Sequence, residues 1–183
     1  VSHRHKDHYN SEIFDWEKEH PNILYILSDD VEAEPAPNRI FVKPEQKIRT
    51  GELKVETLRS TDEGVAFLVT CKDKRIYHAG DLNWWHWEEE SIDYNRQMRK
   101  DYQREIRKLV RKKIDLAFVV LDPRQGGAAF SGIDFFMRNV RVNHVFPMHM
   151  WRDYGLTDRL LTSEISASYR NRIHRVWEEG QTV

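Results

Sequence analysis

Cysteine is nearly absent from this sequence, because Cys71 is the only one in 183 residues. The chain therefore has no internal disulfide framework, and any metal site in it must be built from histidine and carboxylate ligands. Long apolar runs are missing too, since no stretch approaches the roughly 20 residues that a membrane-spanning helix needs. A formal net charge of -1 gives no overall attraction to nucleic acid or to an anionic membrane. We expect a cytoplasmic protein without a membrane partner.

The sequence does contain enough apolar and aromatic residues for one packed core. The hydrophobic share is 39%, with six Trp, seven Tyr and eight Phe, and 183 residues is an ordinary length for one domain. Strand-like and helix-like segments are mixed along the chain, and neither a linker nor an internal repeat interrupts them. We therefore predict a single α/β domain over residues 1–183, with helices covering a sheet.

Apolar periodicity and capping residues predict the elements. Alternating or continuous apolar runs indicate strands, and a 3.6-residue period indicates helices. The expected helices cover residues 11–20, 88–112, 133–139 and 157–170. The expected strands cover residues 22–28, 39–42, 53–58, 64–71, 75–78, 114–121 and 142–146, and a last strand falls within 172–180.

Three histidines and an aspartate stand within the opening stretch VSHRHKDH. In an extended backbone His3 and His5 project to the same side, where two imidazoles can bind one metal ion at about 2.0–2.1 Å. Asp7 and His8 follow, and a turn of the backbone lets both reach a second ion. Two ions are the easier arrangement, because four ligands from so short a loop would be strained around one. The alternative is a polar surface loop with histidines by chance.

The stretch SHRHKDH resembles the H-x-H-x-D-H signature of the metallo-β-lactamase superfamily. Two later stretches resemble further signatures of that superfamily in the same order, YHAGD at 77–81 and FPMHM at 146–150. The resemblance covers essentially the whole chain and is nearest to small zinc-dependent hydrolases of the lactonase-like group. It implies an αββα sandwich with the metal ions at one edge. Superfamily members have strands before the first signature, so the sandwich in this chain is expected to lack its N-terminal strands.

The resemblance also implies a set of metal ligands. His3 and His5 would bind the first ion, Asp7, His8 and His149 the second, and Asp81 both. Two zinc ions suit these imidazole and carboxylate ligands, with manganese or iron as alternatives. Two ions about 3.5–4 Å apart would supply a bridging hydroxide near neutral pH. Asp7 is the expected catalytic residue, accepting or passing on a proton.

One ligand of the superfamily pattern is missing. Members usually place a further histidine between the first signature and the Gly-Asp signature, as the third ligand of the first metal ion. The segment LRSTDEGVAFL contains no histidine. Asp62 is one candidate substitute, His86 is another, and water is the third. We therefore expect the first metal ion to bind more weakly than the second.

Aromatic residues and one arginine are candidates for the substrate pocket. The stretch DLNWWHWEEE places Trp84, Trp85 and Trp87 just after the Gly-Asp signature, where they form either a pocket wall or part of the core. The stretch LDPRQGG follows a buried strand. There Asp122 and Arg124 either bind an anionic substrate group or support a metal-binding histidine, unless the stretch is a plain turn.

A strongly basic segment at 96–113 contains nine basic and two acidic residues. Its apolar residues recur with a helical period and predict a buried stripe formed by Met98, Tyr102, Ile106, Leu109 and Val110. Basic residues on the opposite face usually contact solvent, so we do not expect a nucleic-acid partner. A small-molecule substrate is expected instead, and a homo-oligomer stays open.

These observations lead to one expected function and two alternatives. The chain is expected to be an enzyme, a metal-dependent hydrolase whose metal-bridging hydroxide attacks an ester, lactone or phosphoester. One alternative is a metal-dependent phosphodiesterase or nuclease that uses the basic helix. The other is a degenerate relative that binds metal without turnover, for which the missing histidine is the supporting feature. The fold alone does not determine the substrate.

Overall fold

The computed structural model describes residues 1–182, which form three α-helices, eight β-strands and several 3-10 helices. The helices are α1 (Ile92–Arg107), α2 (Ser131–Asn139) and α3 (Gly155–Thr162). The strands are β1 (Tyr25–Ser28), β2 (Arg39–Val42), β3 (Lys47–Thr50), β4 (Leu53–Arg59), β5 (Val65–Cys71), β6 (Lys74–His78), β7 (Lys113–Val120) and β8 (Arg141–Met148). Within these residues, no helix is both long enough and apolar enough to cross a membrane.

Six strands form one mixed sheet in the order β3-β4-β5-β6-β7-β8. Strands β3 to β6 pair antiparallel, whereas β6, β7 and β8 run parallel to one another. Strands β1 and β2 form a separate parallel pair. The parallel half positions the functional site, because the carboxyl ends of parallel strands meet at one edge and α/β proteins bind ligands at such edges.

The side chains of the six-stranded sheet alternate between two packing layers. Along β5, Ala66 and Leu68 belong to the core under the helices, whereas Val65 and Phe67 pack towards β1 and β2. The 3-10 helix Ser11–Lys18 packs on the outer side of the β1–β2 pair. The layers therefore follow the order helix, sheet, sheet, helix, and the predicted αββα class is confirmed, with a 3-10 helix in one outer layer.

Strands β6, β7 and β8 carry the part of the sheet that β1 and β2 leave uncovered. Ile76 is 38% exposed there, and Leu116, Phe118 and Phe146 are half-buried on the same face. His174 stacks on Phe146 with ring centroids 4.4 Å apart. This strip is the most open apolar part of the described sheet.

The basic segment forms α1, which is shorter than the predicted 88–112. The helix begins at Ile92 because the Ser91 hydroxyl accepts a hydrogen bond from the Tyr94 N–H at 3.1 Å. It ends at Arg107, and turns lead from there to β7. Val110 is therefore outside the helix and 43% exposed, so its assignment to the buried stripe is wrong.

Two predictions about strands need correction. The sequence pattern does not predict β3, because KIRT has one apolar residue; the strand exists as the antiparallel hairpin partner of β4. The predicted strand within 172–180 is reduced to one isolated bridge between Val145 and Ile173. The segment after Ile173 has no paired strand within the described residues.

Two predicted helices are also different in the structure. The segment 11–20 is a 3-10 helix over Ser11–Lys18, started by Asn10, whose side chain accepts from the Glu12 N–H. The helix predicted over 157–170 begins at Gly155 and ends at Thr162, because Ser163 is extended with ψ of 142°. Short 3-10 turns follow it.

Replacing Tyr102 by Phe tests how α1 is anchored. The buried Tyr102 hydroxyl donates to the Gly132 carbonyl of α2 at 2.7 Å, so its loss leaves a buried carbonyl without this donor. We expect the free energy of unfolding in urea to fall by about 1 kcal/mol. Tyr94→Phe on the same helix is the matched control, because Tyr94 is 40% exposed. Equal losses in the two variants would contradict the proposed anchor.

Candidate metal centre

Three parallel strands end beside one another and carry the side chains of the site. Asp81 follows β6, Asp122 follows β7 and His149 directly follows β8. The N-terminal residues lie across the same edge, because the Val65 N–H donates to the Ser2 carbonyl at 2.9 Å. The opening histidines are thereby brought to residues that are distant in sequence.

The Asp81 carboxylate lies at the centre of the site and is only 4% exposed. Its Oδ2 is 3.4 Å from His3 Nε2. Its Oδ1 is 3.1 Å from His8 Nε2 and 3.5 Å from His149 Nε2. Three imidazole nitrogens from two separate parts of the chain therefore converge on one buried carboxylate.

The ligand atoms fall into two groups, each with all its atoms within 4.8 Å of one another. The groups are His3, His5 and Asp81, and Asp7, His8 and His149. Four ligands placed tetrahedrally at about 2.0–2.1 Å from a zinc ion are roughly 3.3 Å apart. The separations around Asp81, from 3.1 to 3.5 Å, are close to that value.

Unpartnered buried atoms test whether the residues fit metal ions. Within residues 1–182, His3 Nε2, Asp81 Oδ1 and His149 Nε2 are buried and have no hydrogen-bond partner. Buried polar atoms normally have one, because leaving them unpaired costs free energy. A metal ion would satisfy these atoms at once, so the donor set fits the ions that the sequence predicts. The role of the residues as ligands stays a prediction.

The charges of the site act on one another. Burial alone raises the pKa of Asp81, but the neighbouring His3 and His8 imidazoles hold it well below its usual range. Burial lowers the pKa of His8, but Asp81 and then Asp7 outweigh this and raise it. Asp81 is therefore a carboxylate at neutral pH, which is the form that binds a cation.

Asp122 supports His149 through a hydrogen bond. Its Oδ2 accepts from His149 Nδ1–H at 2.7 Å, so the lone pair of His149 Nε2 faces Asp81. Burial raises the pKa of Asp122, but His149 and Arg124 lower it well below its usual range. The sequence leaves several roles open for Asp122. The geometry shows one of them, which is to support a histidine.

Ser2 and His78 also border the site. The Ser2 hydroxyl is 3.1 Å from His3 Nδ1 and 3.4 Å from His8 Nδ1, so it orients both rings. His78 Nδ1 accepts from the Gly80 N–H at 3.0 Å, and burial lowers the pKa of His78 to about 4. The sequence analysis assigns no role to Ser2, because a serine before the signature carries no signal of its own.

Two adjacent carboxylates lie near the exposed side of the first group. Burial raises the pKa of Asp62, and the nearby Asp81 carboxylate raises it further, while His5 lowers it. Glu63 Oε2 is 3.6 Å from His5 Nε2, and both its oxygens accept from Arg4 at 2.8 Å. The sequence analysis missed Glu63, although the adjacent acids in the segment STDEG were the available signal.

The structure places His86 and Trp84 outside the site, which corrects two candidates. Both line a different cleft, along α1, together with Arg99. Trp84 packs edge-on against Phe135, with ring centroids 6.4 Å apart, and the Arg99 guanidinium lies 5.2 Å from its ring. Neighbouring side chains in this segment face different parts of the structure, so closeness to Asp81 in sequence is misleading for these two residues.

Trp85 and Trp87 stay with the site in different ways. Trp85 is buried, donates from Nε1 to the Asp81 carbonyl at 2.9 Å, and contacts the His149 ring edge-on at 5.7 Å. Trp87 stacks on Trp85 with centroids 5.7 Å apart and is only partly buried. Trp85 therefore contacts both Asp81 and His149, and Trp87 continues the aromatic stack towards solvent.

The second group opens onto a cleft of about 640 Å³. Asp7, His8 and His149 are among the residues that line it. Its apolar lining consists of Pro147, Met148, Met150, Trp151, Tyr154 and Val176. The cleft therefore offers a largely apolar surface next to the metal-competent groups, as small-molecule sites usually do.

Replacing Gly80 by Ala tests the close approach on which the site depends. Gly80 has φ of +52°, and an added Cβ would lie 2.7 Å from Ser2 Cβ and 2.9 Å from the Val65 carbonyl oxygen. We expect Gly80→Ala to push the Ser2–His3 segment away from Asp81 and to weaken zinc binding at least tenfold, measured by competition with a chelator.

Gly51→Ala is the matched control for this variant. Gly51 has φ of +55°, but an added Cβ there meets nothing within 4 Å. Both variants bear the left-handed backbone penalty of about 1 kcal/mol, and only Gly80→Ala bears the clash. Equal zinc affinities in the two variants would show that the close approach is not needed.

Comparisons with known proteins address the fold. No protein-family model matches the chain. No curated protein sequence is significantly similar to it. Among solved structures, a mutant of the CmlA β-hydroxylase superimposes with a TM-score of 0.54 at 12% identity, covering 82% of this chain and 36% of that one.

Two further solved structures are less similar. One is described as a zinc-dependent hydrolase of the metallo-β-lactamase superfamily from Thermotoga maritima; its TM-score is 0.37 at 13% identity, with 84% of this chain and 58% of that chain covered. The other is zinc-bound PqqB from Methylobacterium extorquens, with a TM-score of 0.41, 11% identity and coverage of 77% and 51%.

The chain spans between about a third and three fifths of the length of these solved structures. The superposition on the CmlA mutant, at 12% identity, supports a shared fold and nothing finer. Together with the layer order and the edge position of the site, it confirms the fold class that the three signatures imply. The chain has the fold of the metallo-β-lactamase superfamily.

Proposed function

We propose that this chain is a metal-dependent hydrolase that cleaves an ester, lactone or phosphoester bond in a small molecule. One observation carries the proposal: six metal-competent side chains from three parts of the sequence, Asp81 among them, come together in two groups, and three of their buried ligand atoms lack a partner. Hydrolysis is favoured because the open cleft lies directly beside these groups. A cytoplasmic location fits the single cysteine.

The two groups would hold two metal ions with a shared carboxylate. His3 and His5 would bind the first ion, Asp7, His8 and His149 the second, and Asp81 both. Zinc is the first candidate, and the carboxylates near His5 keep manganese and iron as alternatives. When bound, such ions lower the pKa of water and polarise a carbonyl or phosphoryl oxygen.

Asp7 is the residue that we assign to proton transfer. Its side chain is 40% exposed and lines the cleft, with Oδ2 3.6 Å from His8 Nε2 and 3.8 Å from His149 Nε2. In ester hydrolysis a bond forms from water oxygen to the carbonyl carbon, and the bond to the leaving oxygen breaks. The Asp7 carboxylate accepts the proton of the attacking water and passes it to the leaving oxygen, giving an acid and an alcohol.

The proposed function is tested with 4-nitrophenyl esters, a lactone and bis(4-nitrophenyl) phosphate. We expect the zinc-loaded protein to hydrolyse at least one of them and the chelated protein to hydrolyse none. Asp7→Asn should lower kcat by about 10²–10⁴-fold, because it keeps the size of the side chain but cannot accept the proton. A zinc-loaded protein inactive on all three classes would support the non-catalytic alternative.

The basic segment at 96–113 does not favour a nuclease. Several of its cations already face carboxylates, since Arg104 lies 2.6 Å from Asp101 and Lys112 lies 2.6 Å from Glu56. Arg99 and Arg107 lie over aromatic rings. These contacts occupy positive charges that phosphate binding would need. Binding to DNA or RNA that weakens steeply with salt would support the nuclease alternative instead.

Unequal loss of the two metal ions is a further expected outcome. The second group has three ligands besides Asp81, whereas the first has two and an exposed side. Elemental analysis during a chelator titration should therefore show one equivalent lost well before the other. Asp62→Asn should weaken only the first ion if Asp62 has the missing role, and Glu63→Gln tests the neighbouring carboxylate in the same way. Simultaneous loss of both equivalents, unchanged by Asp62→Asn, would contradict the asymmetry and the substitute.

A further inference from the structure

The Arg124 side chain is held in one orientation beside the metal centre. Its Nε is 3.0 Å from both carboxylate oxygens of Asp122, and its Nη2 is 2.7 Å from Oδ2. Asp122 is fully buried and also binds His149. Arg124 is thereby connected through one carboxylate to a candidate metal ligand.

Two indole rings lie near the same guanidinium. Its central carbon lies 4.9 Å from the Trp151 ring and 5.9 Å from the Trp87 ring. Arginine stacks on aromatic faces, and such contacts fix the plane of the guanidinium as well as its position. Trp151 lines the cleft at the second group of ligands. The guanidinium is therefore next to one of the residues that line that cleft.

One edge of the guanidinium remains free. Asp122 occupies the edge formed by Nε and Nη2, and within the described residues Nη1 has no hydrogen-bond partner. The side chain is 50% exposed, although Asp122 is not. Arginine has five N–H donors, so the edge formed by Nη1 and Nη2 can still bind a second carboxylate with two parallel hydrogen bonds.

Asp122 has other hydrogen-bond donors besides the Arg124 guanidinium, so holding Asp122 in place does not explain why Arg124 is half-exposed. Asp122 also accepts from His149 Nδ1 at 2.7 Å, from the Arg124 backbone N–H at 2.8 Å and from Trp151 Nε1 at 3.3 Å. Asp122 first, and then Asp81 and Asp7, raise the pKa of the Arg124 guanidinium, which shows that it lies within electrostatic reach of the site.

We propose that Arg124, held by Asp122 beside Trp87 and Trp151, binds a carboxylate group of the substrate through its free edge. The inference rests on the proposed hydrolase function and gives it a substrate class: an ester or lactone that carries a carboxylate besides the bond to be cleaved. An arginine fork can bind a carboxylate or a phosphate with two parallel hydrogen bonds, so a phosphate is the competing ligand that the binding measurement must exclude.

The test compares two esters that differ in charge. The zinc-loaded protein is assayed with 4-nitrophenyl acetate, which is neutral, and with mono-4-nitrophenyl succinate, which has a free carboxylate. In wild type we expect a higher kcat/KM for the succinate ester, mainly through a lower KM. Arg124→Gln should reduce the ratio of the two kcat/KM values about 10- to 100-fold, because it removes a charge-assisted pair.

Arg138→Gln is a closely matched control. Arg138 donates to the Asp134 carboxylate at 2.8 Å, lies 5.7 Å from the Tyr169 ring and is 49% exposed, but it belongs to α2. This variant should leave the ratio unchanged. Arg124→Lys, which keeps the charge but not the fork, should give an intermediate ratio and replaces Arg124→Gln if the latter fails to fold. An unchanged ratio in the Arg124 variants means that Arg124 only positions Asp122 and overturns the inference.

A binding measurement separates this inference from the proposed function. Calorimetric titration of the zinc-loaded protein with succinate should give a Kd that rises at least tenfold in Arg124→Gln and not in Arg138→Gln. If wild type hydrolyses neither ester, the hydrolase proposal depends on the lactone and phosphodiester assays, and the succinate titration still decides the role of Arg124. Equal succinate affinity in wild type and Arg124→Gln, or tighter Arg124-dependent binding of inorganic phosphate, overturns the carboxylate site.

Discussion

A buried carboxylate surrounded by imidazoles is the constraint on which the rest of this structure depends. Asp81 is almost fully buried, and burial of an unpaired charge costs several kcal/mol. Nitrogens of His3, His8 and His149 lie 3.1 to 3.5 Å away, where metal ions bound between them and Asp81 would compensate the charge. Those nitrogens come from the first residues and from the end of β8, so one carboxylate joins parts of the chain that share no sheet hydrogen bonds.

The local backbone is shaped to allow this convergence. Gly64 and Gly80 both have positive φ, and a Cβ on either would lie under 3 Å from atoms of Ser2 or His3. Parallel β6, β7 and β8 then align Asp81, Asp122 and His149 at one edge, which antiparallel strands would not do. The mixed sheet thus combines hairpins that stabilise the fold with a parallel half that builds the site.

Much of this arrangement could be predicted from the sequence, because its determinants are local. The apolar strands at 53–58, 64–71 and 114–121 lie within about one residue of β4, β5 and β7. The three signatures contain the side chains that come together at the candidate metal centre. The position of Trp84 could not be predicted, because it depends on packing against Phe135 of a later helix. Polar β3 was missed for the same reason: its partner strand, not its own sequence, determines it.

The two groups of ligands differ in how firmly the protein orients them. His149 is braced by the buried carboxylate of Asp122 at 2.7 Å, and His3 by the Ser2 hydroxyl at 3.1 Å. His5 is 42% exposed, and its nearest carboxylate, Glu63, is shared with Arg4.

A ligand that is fixed before the ion arrives loses less conformational entropy on binding, so bracing translates into affinity. The histidine with the firmest support is also the one that Asp122 connects to Arg124 and Trp151. The side of the centre that is most rigid is therefore the side that faces the cleft, where a substrate must be held in a fixed position relative to the groups that act on it.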